Sequence, residues 1–249
     1  MKDIDAFSIS YPRNDKLVLP LFPERLMLGK RAERYFSALI DASDHYDMVI
    51  ENVQVFNQNR TIGEFDFIVR RRSDNQLIHV ELVYKFYLYV SHSDRDELAE
   101  WVGPNRSDSL RLKVDKLATK QFPLLSTPDG NARLNEYNLS SSEIVQQLAF
   151  YANLFLPIND QECAHSMNPN AVEGYWGRVE DVKAAHSDED RYFVPDKFDW
   201  FMRSVPDVDW YSIEIALDLL TFQLKNSRSP MLWKISQDEK FERLFIVCW

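Results

Sequence analysis

The sequence predicts an α/β fold: a mixed-sheet core running helix–strand–strand–strand–helix–strand over residues 24–157, with an α+β elaboration over 158–249, all in one domain. Three observations predict it. An apolar stripe at helical spacing precedes three closely spaced strand patterns. The strands are linked by connections short enough for hairpins, so this part of the sheet is expected to be antiparallel. No composition break or linker separates the C-terminal part from what precedes it.

The elements follow in order. Residues 1–23 are broken by Pro12, Pro20 and Pro23 and read as an irregular arm held down by Leu17, Val18, Leu19, Leu21 and Phe22. A helix is expected from about Glu24 to Ala42, with Leu28, Ala32, Tyr35, Phe36 and Leu39 as its buried stripe. Glu33 lies beside that stripe, either reaching over a sheet edge or paired with Lys30 or Arg34. Met48–Phe56 is a strand. Ile62–Val69 is a second, with Ile62, Glu64, Asp66 and Ile68 on one face and Phe65, Phe67 and Val69 on the other. Arg71-Arg72-Ser73-Asp74-Asn75 makes the turn into a third strand, Leu77–Val90, where His79, Glu81, Val83 and Lys85 share a face.

A polar stretch, Ser91–Asn105, leads to a second helix over Ser107–Gln121 with Leu110, Val114 and Leu117 buried. Gln121 continues that buried line and therefore needs a hydrogen-bond partner. Arg106, Lys113 and Lys120 recur every seven residues, with Lys116 nearby, as a basic ridge suited to a phosphate backbone or simply to solvent. Ser126–Tyr137 reads as a loop around Pro128-Asp129-Gly130, and Ser141-Ser142-Glu143 as a helix start. Ile144–Leu156 fits either a helix or a helix running into a strand. Residues 158–173 read as loop, Gly174-Tyr175-Trp176 as a short strand, Phe198–Arg203 and Tyr211–Leu224 as apolar elements, and Arg243–Trp249 as a closing strand.

Composition bounds the function. The chain has 249 residues, 45% hydrophobic and 27% charged, which is a soluble globular balance. Two cysteines, Cys163 and Cys248, are too few for a disulfide scaffold, and no apolar run is long enough to span a bilayer, so a cytoplasmic protein without membrane contact is expected. The net charge of −10 argues against coating nucleic acid through bulk charge. That charge is uneven: residues 1–125 hold 18 Lys and Arg against 19 Asp and Glu, the remainder 11 against 20. The first half can still carry a local basic surface.

Phosphate-binding glycine loops, a Gly-x-Ser-x-Gly elbow and a His-Glu-x-x-His pair are all missing from the sequence. His165 follows Cys163 at a spacing of two, but no second pair completes a zinc site. His79 shares the face of Glu81 and reads as a packed or surface histidine. What remains is Asp66 on one strand and Glu81 with Lys85 on the next. Two carboxylates suit Mg²⁺ or Mn²⁺, completed by water and phosphate oxygens. A lysine on the same face suits an attacking water and the charge that develops on phosphate. The same pattern also fits an ordinary half-exposed strand face.

This order of elements and residues resembles the PD-(D/E)XK nuclease superfamily. There a helix glutamate precedes an aspartate on one strand and Glu-x-Lys on the next; Gly63-Glu64-Phe65-Asp66 looks like the aspartate strand and Glu81 like the start of the second motif. The sequence departs from the pattern at Val83, which stands where the lysine belongs, and Lys85 lies about 6.6 Å further along the strand. More narrowly, the chain is similar to a bacterial family known as domain of unknown function 1853, on Leu28-Gly29-Lys30 with Glu33, Gly63–Phe67, His79–Leu88, Gly103-Pro104-Asn105, Asp108 with Lys113, Gln121 and Gly174-Tyr175-Trp176. The resemblance implies a restriction-endonuclease-like fold. The expected function is therefore a Mg²⁺- or Mn²⁺-dependent nuclease, with DNA favoured as partner. Asp66 and Glu81 would be metal ligands, Lys85 the water-orienting cation, Glu33 and Gln121 flanking site residues, and Arg106, Lys113, Lys116 and Lys120 nucleic-acid contacts. The alternatives are a nuclease-like fold that binds nucleic acid or protein without catalysis, and an acidic surface that docks a basic protein.

Overall fold

Runs of β-branched and aromatic residues with period-two alternation give three long strands in succession, and the rest of the fold is laid out around them. The structure, a computed structural model, describes residues 4–10, 17–23, 26–91, 96–160, 168–202 and 207–249. In chain order its elements are β1 (Asp5–Ala6), α1 (Leu28–Asp41), β2 (Tyr46–Asn57), β3 (Arg60–Arg71), β4 (Leu77–Tyr89), β5 (Trp101–Val102), α2 (Leu110–Lys116), α3 (Pro128–Asn135), β6 (Ile144–Pro157), β7 (Val172–Gly177), α4 (Val179–Ala184), β8 (Arg191–Phe193), α5 (Ile213–Lys225), β9 (Met231–Ile235) and β10 (Phe241–Ile246). This is a mixed α/β fold, and its strand pairings are both parallel and antiparallel.

The chain divides into two compact units. The first comprises Met1–Tyr84 and Val114–Tyr151, the second Lys85–Lys113 and Ala152–Trp249. Strands β4 and β6 each begin in the first unit and end in the second.

In the first unit β2, β3 and β4 form the expected antiparallel run, with Ile68 opposite both Ile50 and His79. One face packs Phe67, Val69, Ile78 and Val80 against Phe36 and Ile40 of α1. The other packs Val55, Phe65, Ile68 and Leu77 against Leu124, Leu125 and Leu134. The arm contributes differently from expectation. Val18, Leu19 and Leu21 are 79%, 64% and 92% exposed. The anchor is instead Phe7, which follows β1, lies in parallel contact with β6, and sits 5.7 Å from the ring of Phe36 and 5.0 Å from that of Tyr46. Phe22 meets the ring of Tyr35 and the guanidinium of Arg31.

Two readings between residues 126 and 157 are corrected. Pro128-Asp129-Gly130 is not a loop but the first turn of α3. Thr127 accepts a hydrogen bond from the Gly130 N–H as N-cap, and Pro128 sits where a missing N–H costs nothing. Ser141-Ser142-Glu143 starts no helix; it is a single 3₁₀ turn, and residues 144–157 are all strand. The expected first helix keeps its C-terminal extent but begins at Leu28, and Glu24 lies outside the described residues, as do Cys163 and His165.

In the second unit β6, β7 and β10 run parallel, and β10, β9 and β8 antiparallel. A helix (α4) and two strands (β8, β9) form where the sequence signalled none. Gly174 lets β7 and β10 approach: a Cβ there would lie 2.0 Å from the Arg243 carbonyl oxygen. Phe86, Phe155, Trp200 and Phe245 meet edge to face. Arg243, 2% exposed, is held by Glu173 at 2.6 Å and by the Trp200 carbonyl at 3.1 Å. Tyr87 is fully buried, and its hydroxyl has no hydrogen-bond partner among the described residues. Burial and the charge of Asp108 push its ionisation well above the ordinary tyrosine range. Tyr87→Phe removes that unsatisfied hydroxyl at nearly constant shape, so the variant should equal or exceed the parent in urea unfolding free energy, by about 0–1 kcal/mol.

Candidate active site

The strands carrying the predicted acids do not alternate without interruption. Ile50 and Val53 of β2 belong to the same apolar cluster, as do Phe65 and Ile68 of β3. Strict period two would send each pair to opposite faces. Both strands therefore shift phase between these positions. The shift occurs in β2 at Asn52, whose φ of 52° lies in the left-handed region, and in β3 across from it at Asp66. Glu64, Asp66 and Ile68 consequently do not share one face as predicted. Glu64 turns to α1, where the Lys30 ammonium lies 3.1 Å from its carboxylate, 2.6 Å from that of Glu33 and 3.2 Å from Asn52 Oδ1.

Glu33 is thus one of two acids sharing Lys30. Burial raises its proton affinity; Lys30 works against that, and the negative charges of Glu64 and Glu51 add to it. For Lys30, burial opposes the charge, but hydrogen bonds to Glu33 and Glu64 outweigh it and raise the pKa.

Asp66 stands where the β3–β4 ladder ends. The last paired residues are Phe67 and Val80, and one step further along the same register brings Asp66 opposite Glu81. There the Asp66 carboxylate takes the place of a backbone acceptor, receiving the Leu82 N–H at 2.9 Å.

Glu81 is 0% exposed, as is His79. One Glu81 oxygen accepts a short hydrogen bond from the Gln121 side-chain amide, the partner that a glutamine on an apolar helix face requires. Gln121 closes a π-helical turn, Leu117–Gln121, that widens the end of α2; Leu117 and Phe122 on either side of it pack on Val83. The second oxygen, Oε1, faces His79 Nε2 at 3.1 Å, close but without the alignment of a good hydrogen bond. The Gln146 amide nitrogen sits 3.3 Å from His79 Nδ1 while donating to the Phe122 carbonyl at 2.8 Å. With Nδ1 accepting, the ring proton belongs on Nε2, facing Glu81. His79, Glu81 and Val83 share one side of β4, as alternation predicts.

Lys85 is in the second unit. Its side chain is 44% exposed, and its ammonium lies 2.7 Å from Asp108 Oδ2. Asp108 closes a tight loop onto Gly103, where a Cβ would lie 1.9 Å from Asp108 Oδ1. The expected basic ridge is not a single helical line. Arg106 precedes α2 in a turn, with φ 55°, and stacks 3.6 Å over the Trp249 ring. Lys113 is half-buried, while Lys116 and Lys120 are exposed, and the π-helical turn interrupts the seven-residue spacing before Lys120. The pairing of Glu33 with Lys30 was one of the two readings the sequence offered; Glu64 and Asp108 were missed as partners because their roles depend on contacts far apart in sequence, and Gly103 five residues before Asp108 was the one local signal.

Asp66 and Glu81 are hard oxygen donors of the kind a divalent cation takes. Among the described residues no three or more His, Cys, Asp or Glu side chains form a ready-made metal cage, so water and phosphate oxygens would complete the shell.

A family model, the domain of unknown function (DUF1853), matches residues 16–247. The chain belongs to this family. No curated protein matches the chain. No solved structure matches it either. No helix among the described residues is long and apolar enough to cross a membrane.

The shared ammonium of Lys30 yields a prediction with a definite sign. In Lys30→Met, Glu33 and Glu64 face each other without a cation between them. The variant should lose about 1 kcal/mol in urea unfolding at pH 7, and the loss should shrink as acid protonates Glu33, whose proton affinity burial already raises.

Proposed function

We propose that this DUF1853 chain is a divalent-metal-dependent phosphodiester hydrolase with a PD-(D/E)XK, restriction-endonuclease-like core, acting on nucleic acid and on DNA first. The observation that carries the reading is the Glu81 carboxylate. It is withdrawn from water, gripped on one oxygen by Gln121, faced on the other by the His79 ring at 3.1 Å, and stands across from Asp66 at the end of a ladder.

Asp66 and Glu81 would hold the ion, Mg²⁺ or Mn²⁺. When bound, it would polarise a phosphoryl oxygen and make a coordinated water more acidic. Gln121 fixes the direction of the Glu81 oxygens, and the Leu82 N–H fixes that of Asp66. The water-orienting cation is assigned to Lys85, which takes that role only by releasing Asp108. Glu33 is an outer carboxylate whose charge is tied to Lys30.

Purified chain with Mg²⁺ or Mn²⁺ should cleave members of a DNA and RNA panel. Asp66→Asn and Lys85→Ala should abolish cleavage, and Gln121→Ala should weaken metal binding about 10–100-fold. Asp108→Asn, which frees Lys85, should leave cleavage unchanged or faster. No cleavage across the panel, together with no Mg²⁺ or Mn²⁺ binding by calorimetry, sinks the reading.

The Lys85–Asp108 pair also favours a second reading, a nuclease-like fold that binds without cutting. Metal-independent nucleic-acid binding that survives Asp66→Asn, with no cleavage, is its signature.

A further inference from the structure

The second unit gathers positive charge around one loop, although residues 126–249 hold 11 basic residues against 20 acidic ones. The loop is Gly103–Asp108. Asp108 holds Lys85 at 2.7 Å, and Arg106 lies over Trp249. Trp249 in turn donates its indole N–H to the Pro104 carbonyl at 3.0 Å. Ser229 is tied to the same loop twice: its N–H donates to Asn105 Oδ1 at 2.8 Å and its hydroxyl to the Pro104 carbonyl at 2.6 Å. That brings Arg228, the residue before it, to the loop. Lys197 lies close enough to the group for the charges of Arg228 and Lys85 to act on it. Its ammonium is 5.3 Å from the Trp200 ring, which packs edge-on against Phe86, the neighbour of Lys85.

Four cations thus gather near this loop, and Lys85 is paired there with the Asp108 carboxylate. Among the described residues neither Lys197 nor Arg228 has a carboxylate at ion-pair distance. Burial lowers the proton affinity of Lys197, and the like charges of Arg228 and Lys85 lower it further, so the ammonium and its neighbours repel one another. All four side chains reach solvent. Like charges held together with too few counter-ions disfavour the fold unless something anionic offsets them. Multiply charged oxyanions suit such a group: lysine acts as a point charge and arginine as a two-pronged donor.

We infer that Lys197, Arg228, Lys85 and Arg106 form a phosphate-binding site on the second unit, taking the phosphate oxygens of a nucleic-acid strand or of a small phosphate compound. The inference does not depend on hydrolysis or on metal, and its test runs in EDTA.

The full chain would be titrated with pyrophosphate and with a fluorescent single-stranded oligonucleotide over a salt series. The variants are Lys197→Gln/Arg228→Gln and a control, Lys183→Gln, which removes an exposed lysine of α4. The parent should bind at least one of the two probes. The double variant should bind that probe at least tenfold more weakly; for the oligonucleotide its log–log salt slope should fall by about 1.4, about 0.7 for each lost phosphate contact. The control should match the parent. Binding of pyrophosphate alone assigns the site to small phosphates; binding of the oligonucleotide assigns it to a strand. Binding of neither probe, or equal losses in the double variant and the control, overturns the proposal. Because Asp66→Asn leaves these residues untouched, it should bind like the parent, which separates this result from the outcome of the cleavage assays.

Discussion

A carboxylate with no access to water governs the first unit. Burying Glu81 is tolerable only where donors are delivered to it, and they come from segments distant in sequence. Gln121 arrives because α2 widens into a π-helical turn at its end. His79 is turned toward Glu81 because Gln146 of β6 and the Phe122 carbonyl fix its ring. Asp66 completes the surroundings from β3, where the ladder stops and a side chain replaces a backbone acceptor. Withdrawing any one of these supports would leave a buried charge or acceptor exposed to its own solvation cost. This makes the segment Leu117–Phe122 as much a part of the site as the strands themselves.

Much of this was legible in the sequence. The three central strands follow from their β-branched and aromatic residues, and Gln121 declared its need for a partner by falling on an apolar stripe. The helix before these strands and the strand Gly174–Trp176 were equally plain. The re-phasing of β2 and β3 was not, because nothing local distinguishes Asn52 from an ordinary exposed strand residue until its φ is known. Without that, Glu64 and Asp66 read as neighbours on one face. Ile144–Pro157 is apolar enough for either helix or strand, and only pairing decided it. Pro128-Asp129-Gly130 carries turn chemistry that serves equally as a helix start once Thr127 is recognised as a cap. The arm misled because Val18, Leu19 and Leu21 are apolar, yet Phe7 had already filled the place against α1.

The charge distribution shows why a net value says little about partners. The C-terminal half is strongly acidic, yet the four cations near the Gly103–Asp108 loop lie in the unit that contains most of that half. Sequence averages spread them among acids that are elsewhere in space, such as Asp190 beside Lys234 and Glu173 beside Arg243. A potential is set by distances, and these are fixed by the strands and turns that carry the residues.

The contact between Gly103 and Asp108 has a consequence for genetics. A methyl group at position 103 occupies the space of the Asp108 carboxylate, so that carboxylate must move, and Lys85 loses its counter-ion. A mutational scan would then show a glycine, without charge or side chain, carrying the phenotype of a lost acid. Alleles at 103 and at 108 would fall into one class and fail to worsen each other in combination. The electrostatics of a lysine on β4 are thus written partly at a residue that has no electrostatics of its own.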